Sequence, residues 1–443
     1  MNKHLISPLL LTLFLQGCGG SSSSTPPEPP EPVEYNFSLT SQLTNDCGID
    51  SAFTDVELLL QDEAWQTLEV YQPDESGVIS FVTENEFINY TLVAKNQQGS
   101  EVEGLNVVSF YQASSATPSH YQAQFDNVVD NPSSCECVTQ DLNLAHAPLA
   151  MERSVTSSAS IDEWVSIDES NTLFKGVTVC RAIDGSWPLH SFSVEGLGLN
   201  QRLIAAGSFF DLNAEANSES DWSLFATLPA TSYQLTPPYQ ELSSVQLIDG
   251  EQHFPMQVAE GEQSLLIFDN HINTFKSYYQ SQASVTFPLI DSIKESAVSK
   301  NIHRVTSTEA QTSIDVKASA YKPNFDYPTF EEIKGDGSYN YGTVAGFPMA
   351  IINFTFTGLS MPVKWTFYGP EKGELAISVP LTGYADIIDI RTRKEAIDVR
   401  LVKSLDTNNY HDYIKHYQGN SSANMTSDFA KEMTSAELDR KFY

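Results

Sequence analysis

Residues 352–368 read INFTFTGLSMPVKWTFY. Ile352, Phe354 and Phe356 are offset by Asn353, Thr355 and Thr357, and after the break Val363, Trp365 and Phe367 are offset by Lys364, Thr366 and Tyr368. A period of two is what a strand shows when one of its faces is buried, because successive side chains leave the backbone on opposite sides. The same alternation opens the folded part of the chain. There Tyr35, Phe37, Leu39 and Leu43 are interleaved with Asn36, Ser38, Thr40, Gln42 and Thr44.

Working outward, turn-forming clusters punctuate such runs every ten or so residues: Pro73-Asp74-Glu75-Ser76-Gly77, Asn96 to Gly99, Asp184-Gly185, Asp249-Gly250 and Gly369-Pro370. Helical periodicity between the strands is scarce, which excludes βαβ units and predicts an all-β protein of tandem antiparallel β-sandwich domains. The expected divisions are an acidic sandwich over 35–137, a second β-rich domain over 138–238 and a third over 239–403. Residues 404–443 form a short helical tail. In it Tyr410, Tyr413, Ile414 and Tyr417 fall at helical spacing before Gly419. A second helix is expected over 428–442, with Thr434 and Glu437 as its capping box.

The chain has 443 residues, enough for two or three domains, with 41% apolar and 11% aromatic content. It carries 57 acidic against 24 basic side chains, a net charge of −33. A general nucleic-acid binder needs a basic surface, so that class is excluded, and adhesion to anionic lipid by charge is disfavoured.

Residues 1–17 carry Lys3 and an apolar run from Leu5 to Leu15, too short for a bilayer-spanning helix and suited to a signal peptide. Leu15-Gln16-Gly17-Cys18 closes it and resembles the lipobox of bacterial lipoproteins. That resemblance implies cleavage before Cys18, a diacylglyceryl thioether on its sulfur and an acylated amine, which together anchor the protein stably in a membrane. Gly19 in place of Asp, by the same resemblance, favours the outer membrane of the cell envelope. Residues 18–34 continue as GGSSSSTPPEPPEPVE after the cysteine, a flexible piece followed by an extended Pro-Glu piece, and read as a tether. Within 35–137, the runs at Val56 to Leu60, Ile79 to Phe81 and Tyr90 to Ala94, with the turn at Asp74 to Gly77, resemble the transthyretin-like or carboxypeptidase-regulatory-like β-sandwich.

Four cysteines remain after Cys18: Cys47, Cys135, Cys137 and Cys180. An even number in an exported chain indicates two disulfides. Cys135 and Cys137 are too close to bridge each other, which leaves two connectivities. The expected one is Cys47 with Cys135 and Cys137 with Cys180, tying the ends of the first unit together and stapling it to the second. Residues 34–137 hold 17 acidic residues and one basic residue, Lys95. Asp74 with Glu75, Glu84 with Glu86, and Glu101 with Glu103 are candidate Ca²⁺ ligands, weighed against ordinary solvated charge. No other cofactor is indicated.

There is no G-x-S-x-G elbow, H-E-x-x-H or Walker loop. Gly335-Asp336-Gly337 lies between strands and reads as a hairpin turn. Tyr339 with Tyr341, Tyr278-Tyr279 and Trp187-Pro188 are candidates for stacking on sugar rings, against the ordinary role of aromatics in a β core. The expectation is therefore a non-catalytic, membrane-anchored lipoprotein that works in binding, adhesion or envelope assembly with a protein or glycan partner. The alternative is a hydrolase of envelope or extracellular polymers, polysaccharide or peptide, whose Ser, His and Asp come together only in space.

Overall fold

Several runs are apolar at both parities: Leu58-Leu59-Leu60, Leu92-Val93-Ala94, Met349-Ala350-Ile351-Ile352 and Leu401-Val402. Strands of that kind are covered on both faces, and they form the centre of this protein. The computed structural model describes side chains over most of residues 32–196 and 337–419, and strand backbone alone within 197–307 and over 432–441. Cys18 and the rest of 1–31 lie outside the described residues.

The chain opens with β1 (Tyr35–Thr44), β2 (Asp50–Ala52), β3 (Val56–Gln61), β4 (Thr67–Tyr71), β5 (Val78–Thr83), β6 (Phe87–Gln98), β7 (Glu101–Ser114) and β8 (Ser119–Ala123). It continues through β9 (Cys135–Ala145), β10 (Arg153–Ser157), β11 (Glu163–Asp168), β12 (Asn171–Ala182), β13 (His190–Leu197), β14 (Arg202–Phe209) and β15 (Trp222–Phe225). Next come β16 (Ala230–Gln234), β17 (Leu242–Asp249), β18 (Gln252–Ala259), β19 (Ser264–Phe268), β20 (Lys276–Pro288) and β21 (Ser296–Ser307). The last part supplies β22 (Ser338–Asn340), β23 (Met349–Phe356), β24 (Val363–Pro370), β25 (Lys372–Glu374), β26 (Lys394–Ser404), the helix α1 (Tyr410–Gly419) and β27 (Glu432–Lys441). Among the described residues no helix is long and apolar enough to cross a membrane.

A 12-stranded sheet runs in the order β18-β17-β20-β21-β27-β26-β23-β24-β7-β6-β3-β4. Its pairings are antiparallel except at the β24–β7 junction, where Trp365 lies opposite Val107 and Phe367 opposite Ser109. Segments read from the sequence as separate units, 35–137 and 239–403, thus share one ladder. The junction starts at Gly104, which has a φ of +144° and whose Cβ, if it had one, would sit 2.7 Å from the Pro362 carbonyl oxygen. The missing side chain lets Leu105 donate its N–H to that carbonyl at 2.9 Å.

One face of this sheet is covered by the smaller sheet β2-β1-β5, with β8 pairing in parallel to β1. Phe37, Leu39, Ile79 and Tyr121 from the small sheet pack with Leu58, Tyr90, Leu92, Phe110, Met349 and Ile351 from the large one. The opposite face, with Leu59, Val93, Val107, Ile352, Phe354, Trp365, Val399 and Leu401, is covered by Tyr339, Tyr341, Phe347, Leu375, Leu381 and Ile387. Each fully buried large apolar side chain contributes about 1.5–3 kcal/mol relative to exposure. The register is held by a buried polar chain across four strands. Trp365 Nε1 donates to Ser109 Oγ at 2.9 Å, the Ser109 and Thr91 hydroxyls share a hydrogen bond at 2.8 Å, and Thr91 Oγ1 donates to Gln61 Oε1 at 2.6 Å. Every member is satisfied, the condition under which a buried network specifies one arrangement.

The helix forms where the aromatic spacing placed it, and it buries Tyr413 and Ile414. Gln418 seats it. Its Nε2 donates to the Ser114 carbonyl at 2.7 Å, to Ser119 Oγ at 2.8 Å and to the Thr117 carbonyl at 3.3 Å, while its Oε1 accepts the Ser114 N–H at 3.0 Å.

The second helix expected over 428–442 is corrected by the structure: residues 432–441 are strand β27, and Thr434 and Glu437 lie in its ladder. The strand is paired on both edges, by β21 and by β26. Two ladders outweigh a local helical preference worth tenths of a kcal/mol per residue.

Residues 135–225 build a second sandwich. The sheet β11-β12-β9-β15 faces the sheet β10-β13-β14. Leu142, Leu144, Phe174, Val177, Val179, Phe192 and Val194 fill the space between them.

Candidate functional site

The acidic pairs are placed by turns. In the turn leading into β5, Gly77 adopts a φ of +78° and donates its N–H to the Asp74 carbonyl at 3.0 Å. The Asp74 carboxylate then closes the turn: Oδ1 accepts from Ser76 Oγ at 2.6 Å, Ser76 N at 2.9 Å and Val78 N at 3.0 Å. The hydrogen bond from Ser76, then that from Val78, holds its pKa below the ordinary carboxylate value. Glu75 is exposed beside it.

Glu84 and Glu86, the second candidate pair of Ca²⁺ ligands, occupy the bend between β5 and β6 and are exposed. A Thr83 hydroxyl that accepts the Asn85 N–H at 3.1 Å shapes this bend. Glu101 and Glu103 are the first and third residues of β7, with side chains outside the described residues. β5 separates Asp74 from Glu84 by about 20 Å, and β6 separates Glu86 from Glu101 by about 40 Å. The Glu84/Glu86 pair is therefore brought together with neither of the others.

The cysteines converge. Cys47, in the tight turn between β1 and β2, is bonded to Cys135 at the start of β9, with 5.8 Å between Cα atoms. Cys137 is bonded to Cys180 across the β9–β12 ladder, where the two are register partners with Cα atoms 4.1 Å apart. The Cys47 turn is shaped by Asn45 Oδ1, which accepts the N–H groups of Cys47 at 3.0 Å and Ile49 at 2.9 Å. The sulfurs of Cys47, Cys137 and Cys180 all lie within 4.8 Å of one another, so the two disulfides are side by side. As disulfides they offer no thiolate to a metal. Their effect is mechanical: one rivets the small sheet of the first region to the second sandwich, and the other fixes the strand that receives it. Arg181 lines the junction, pairing with Glu136 at 2.8 Å and stacking on Trp187 with its guanidinium 4.3 Å from the ring centre.

Of the aromatics considered for sugar stacking, Tyr339 and Tyr341 are core residues, 2% and 0% exposed. The Tyr339 hydroxyl donates to the Pro370 carbonyl at 2.9 Å. The pair thus takes the core role rather than the stacking one: both rings turn inward and pack with the residues that cover the large sheet. Tyr278 and Tyr279 sit in β20, with side chains outside the described residues. Trp187 is half-buried under Arg181.

Among the described residues a serine meets a histidine at one place. Ser158 Oγ lies 3.1 Å from His190 Nδ1, and His190 Nε2 is buried without a hydrogen-bond partner. Burial lowers the His190 pKa, opposed by its contact with the Ser158 backbone. Among the described residues no carboxylate hydrogen-bonds to this imidazole, so the orienting group of a triad is not in place there. His146 is a structural histidine: its two ring nitrogens contact the Ala147 carbonyl at 2.8 Å and Thr172 Oγ1 at 2.9 Å.

Sequence reasoning passed over β11. All six of its residues are exposed, Trp164, Val165 and Ile167 among them. The available signal was the run Asp162-Glu163-Trp164-Val165-Ser166-Ile167-Asp168-Glu169, in which an apolar stretch is bracketed by carboxylates.

No protein-family model matches the chain. No curated protein matches it either. Among solved structures, one described as a streptococcal ancillary pilin aligns with 9% identity and a TM-score of 0.14, covering 63% of this chain and 98% of that one. A likeness at that level carries no argument about fold or function.

Proposed function

We propose that the chain is a lipid-anchored exported lipoprotein, displayed on a tether at the outer membrane, that binds other macromolecules in adhesion or envelope assembly and carries out no catalysis of its own. The observation that carries the reading is the order of features along the chain. A short apolar run ends in Leu15-Gln16-Gly17-Cys18, the Gly/Ser and Pro/Glu tether follows, and at Tyr35 the chain enters a strand gripped by β2, β5 and β8. A load applied to the anchor is then taken up by hydrogen-bonded ladders and the adjacent disulfides. The −33 charge keeps the displayed part off anionic headgroups.

Membrane fractionation and mass measurement of the mature protein test the anchor. The expected result is an acylated protein in the membrane fraction, which Cys18→Ser releases or leaves unprocessed. Unchanged mass and fractionation of that variant would overturn the anchor. The Ser158–His190 contact favours the second reading, a hydrolase, and reaction with a fluorophosphonate probe separates the two. Labelling that Ser158→Ala abolishes would replace the binding reading with the enzymatic one.

A further inference from the structure

β11 ends its sheet. It pairs with β12 on one side, and among the described residues no strand occupies its other side. Trp164, Val165 and Ile167 remain 38%, 36% and 56% exposed. An edge of this kind presents backbone N–H and C=O groups at alternate residues and is a template for another strand. Asp162 donates its N–H to the Lys175 carbonyl at 2.9 Å. Alternation from that point turns the backbone groups of Glu163 and Val165 outward.

Charge decides which strand the edge accepts. Asp162, Glu163, Asp168 and Glu169 bracket the apolar run, and the nearby cation, Lys175, is already held by Glu163 at 2.5 Å. Antiparallel pairing of two copies must set outward residues against outward residues, and centred on Ser166 it places Glu163 opposite Glu169. Centred on Val165, it sets Asp162 opposite Asp168. Like charges directly opposite across a ladder are destabilising, so a second copy is repelled in both registers. The same carboxylates attract Lys or Arg. The bulge between Ser166 and Asp168 further limits the length of any added ladder to a short segment.

We infer that β11 is a strand-addition site for an extended segment of another protein, one that alternates apolar residues between ends rich in Lys or Arg. Main-chain hydrogen bonds to Glu163 and Val165 supply the docking, and the acidic ends select the partner. This rests on the binding-module reading and names the partner chemistry for one edge of it.

The probe is a labelled peptide, Lys-Arg-Val-Thr-Val-Thr-Val-Arg-Lys, titrated by fluorescence anisotropy against the full chain carrying Cys18→Ser. Its control has Glu in place of every Lys and Arg. The expected result is saturable binding of the basic peptide, weakened about tenfold or more by Val165→Pro, which removes an outward donor, and about tenfold or more for the acidic control. Asp162→Lys/Glu169→Lys should reverse the preference between the peptides. This second variant leaves the strand backbone alone and decides the matter if Val165→Pro does not fold. Absence of saturable binding, equal binding of both peptides, or binding that neither variant alters would overturn the proposal. So would a dimer in analytical ultracentrifugation that Val165→Pro dissociates, since the edge would then belong to a second copy. A chain that captures envelope partners yet fails these tests keeps the binding reading and loses this edge.

Discussion

Two tryptophans in strands, Trp365 and Trp164, show how differently the two regions of this protein use the same kind of residue. Trp365 stands in a central strand of the large sheet, 3% exposed, with its indole N–H bonded to Ser109. Trp164 stands in the edge strand of the second sandwich, 38% exposed, opposite Phe174. The large sheet is covered on both faces and locked by a satisfied polar chain, which suits a platform. The second sandwich is covered on one face of each sheet and leaves β11 open, which suits a contact surface. Rigidity and accessibility are thus assigned to different parts of the chain, and two adjacent disulfides join the parts.

Truncating the tryptophans sharpens the contrast most. Trp365→Ala should cost about 3–5 kcal/mol, because it opens a cavity and orphans the Ser109–Thr91–Gln61 chain. Trp164→Ala should stay within about 0.5 kcal/mol, as exposed substitutions do. Urea titrations of both variants check the pair, and equal losses would erase the distinction. Next in size is the junction. Removing the Cys47–Cys135 bond, whose sequence separation is 88, should cost about 4 kcal/mol by the chain-entropy treatment. A melting curve of Cys47→Ser/Cys135→Ser, compared with the parent, reads it directly.

A smaller effect belongs to the helix. Gln418→Leu takes the partner from the buried Ser114 N–H and leaves the Ser114 carbonyl only the 3.4 Å bond from the Thr117 N–H, so it should cost about 1–3 kcal/mol, seen as faster hydrogen exchange over Ser114 to Ser119. The smallest concerns acid. Burial depresses the His190 pKa, so its contribution is fully present above the unfolded value of about 6.5 and is lost as pH falls from there towards the folded pKa. The second sandwich should therefore melt at a lower temperature at pH 5 than at pH 7, and His190→Gln should flatten that slope.

The legible part of this fold was what one strand or one helix declares alone. The alternation at Ile352-Asn353-Phe354 announced a strand, and the spacing of Tyr410, Tyr413 and Ile414 announced α1. Pairing across long separations was not legible: nothing local in Trp365 names Val107 as its neighbour. β27 was misread because Thr434 and Glu437 satisfy a helical motif, while its two flanking strands lie elsewhere in the chain. For Tyr339 and Tyr341 the choice between sugar stacking and core stayed open, because period-two spacing gives a shared face without saying which side is covered. Of the candidate site, gathering of the four cysteines was anticipated from their even number. β11 escaped notice because an apolar run reads as core until its place at the sheet edge is known.

The central claim is that the first and last parts of the chain form one double-faced sheet through the β7–β24 ladder. It is tested most directly by expressing residues 34–137 alone and following thermal unfolding by circular dichroism. No cooperative transition is expected, because β7 would lose the partner that covers its free edge and the core would lose Met349, Ile351 and Val402. A sharp transition at the melting temperature of the full chain would contradict it and make 34–137 an independent domain.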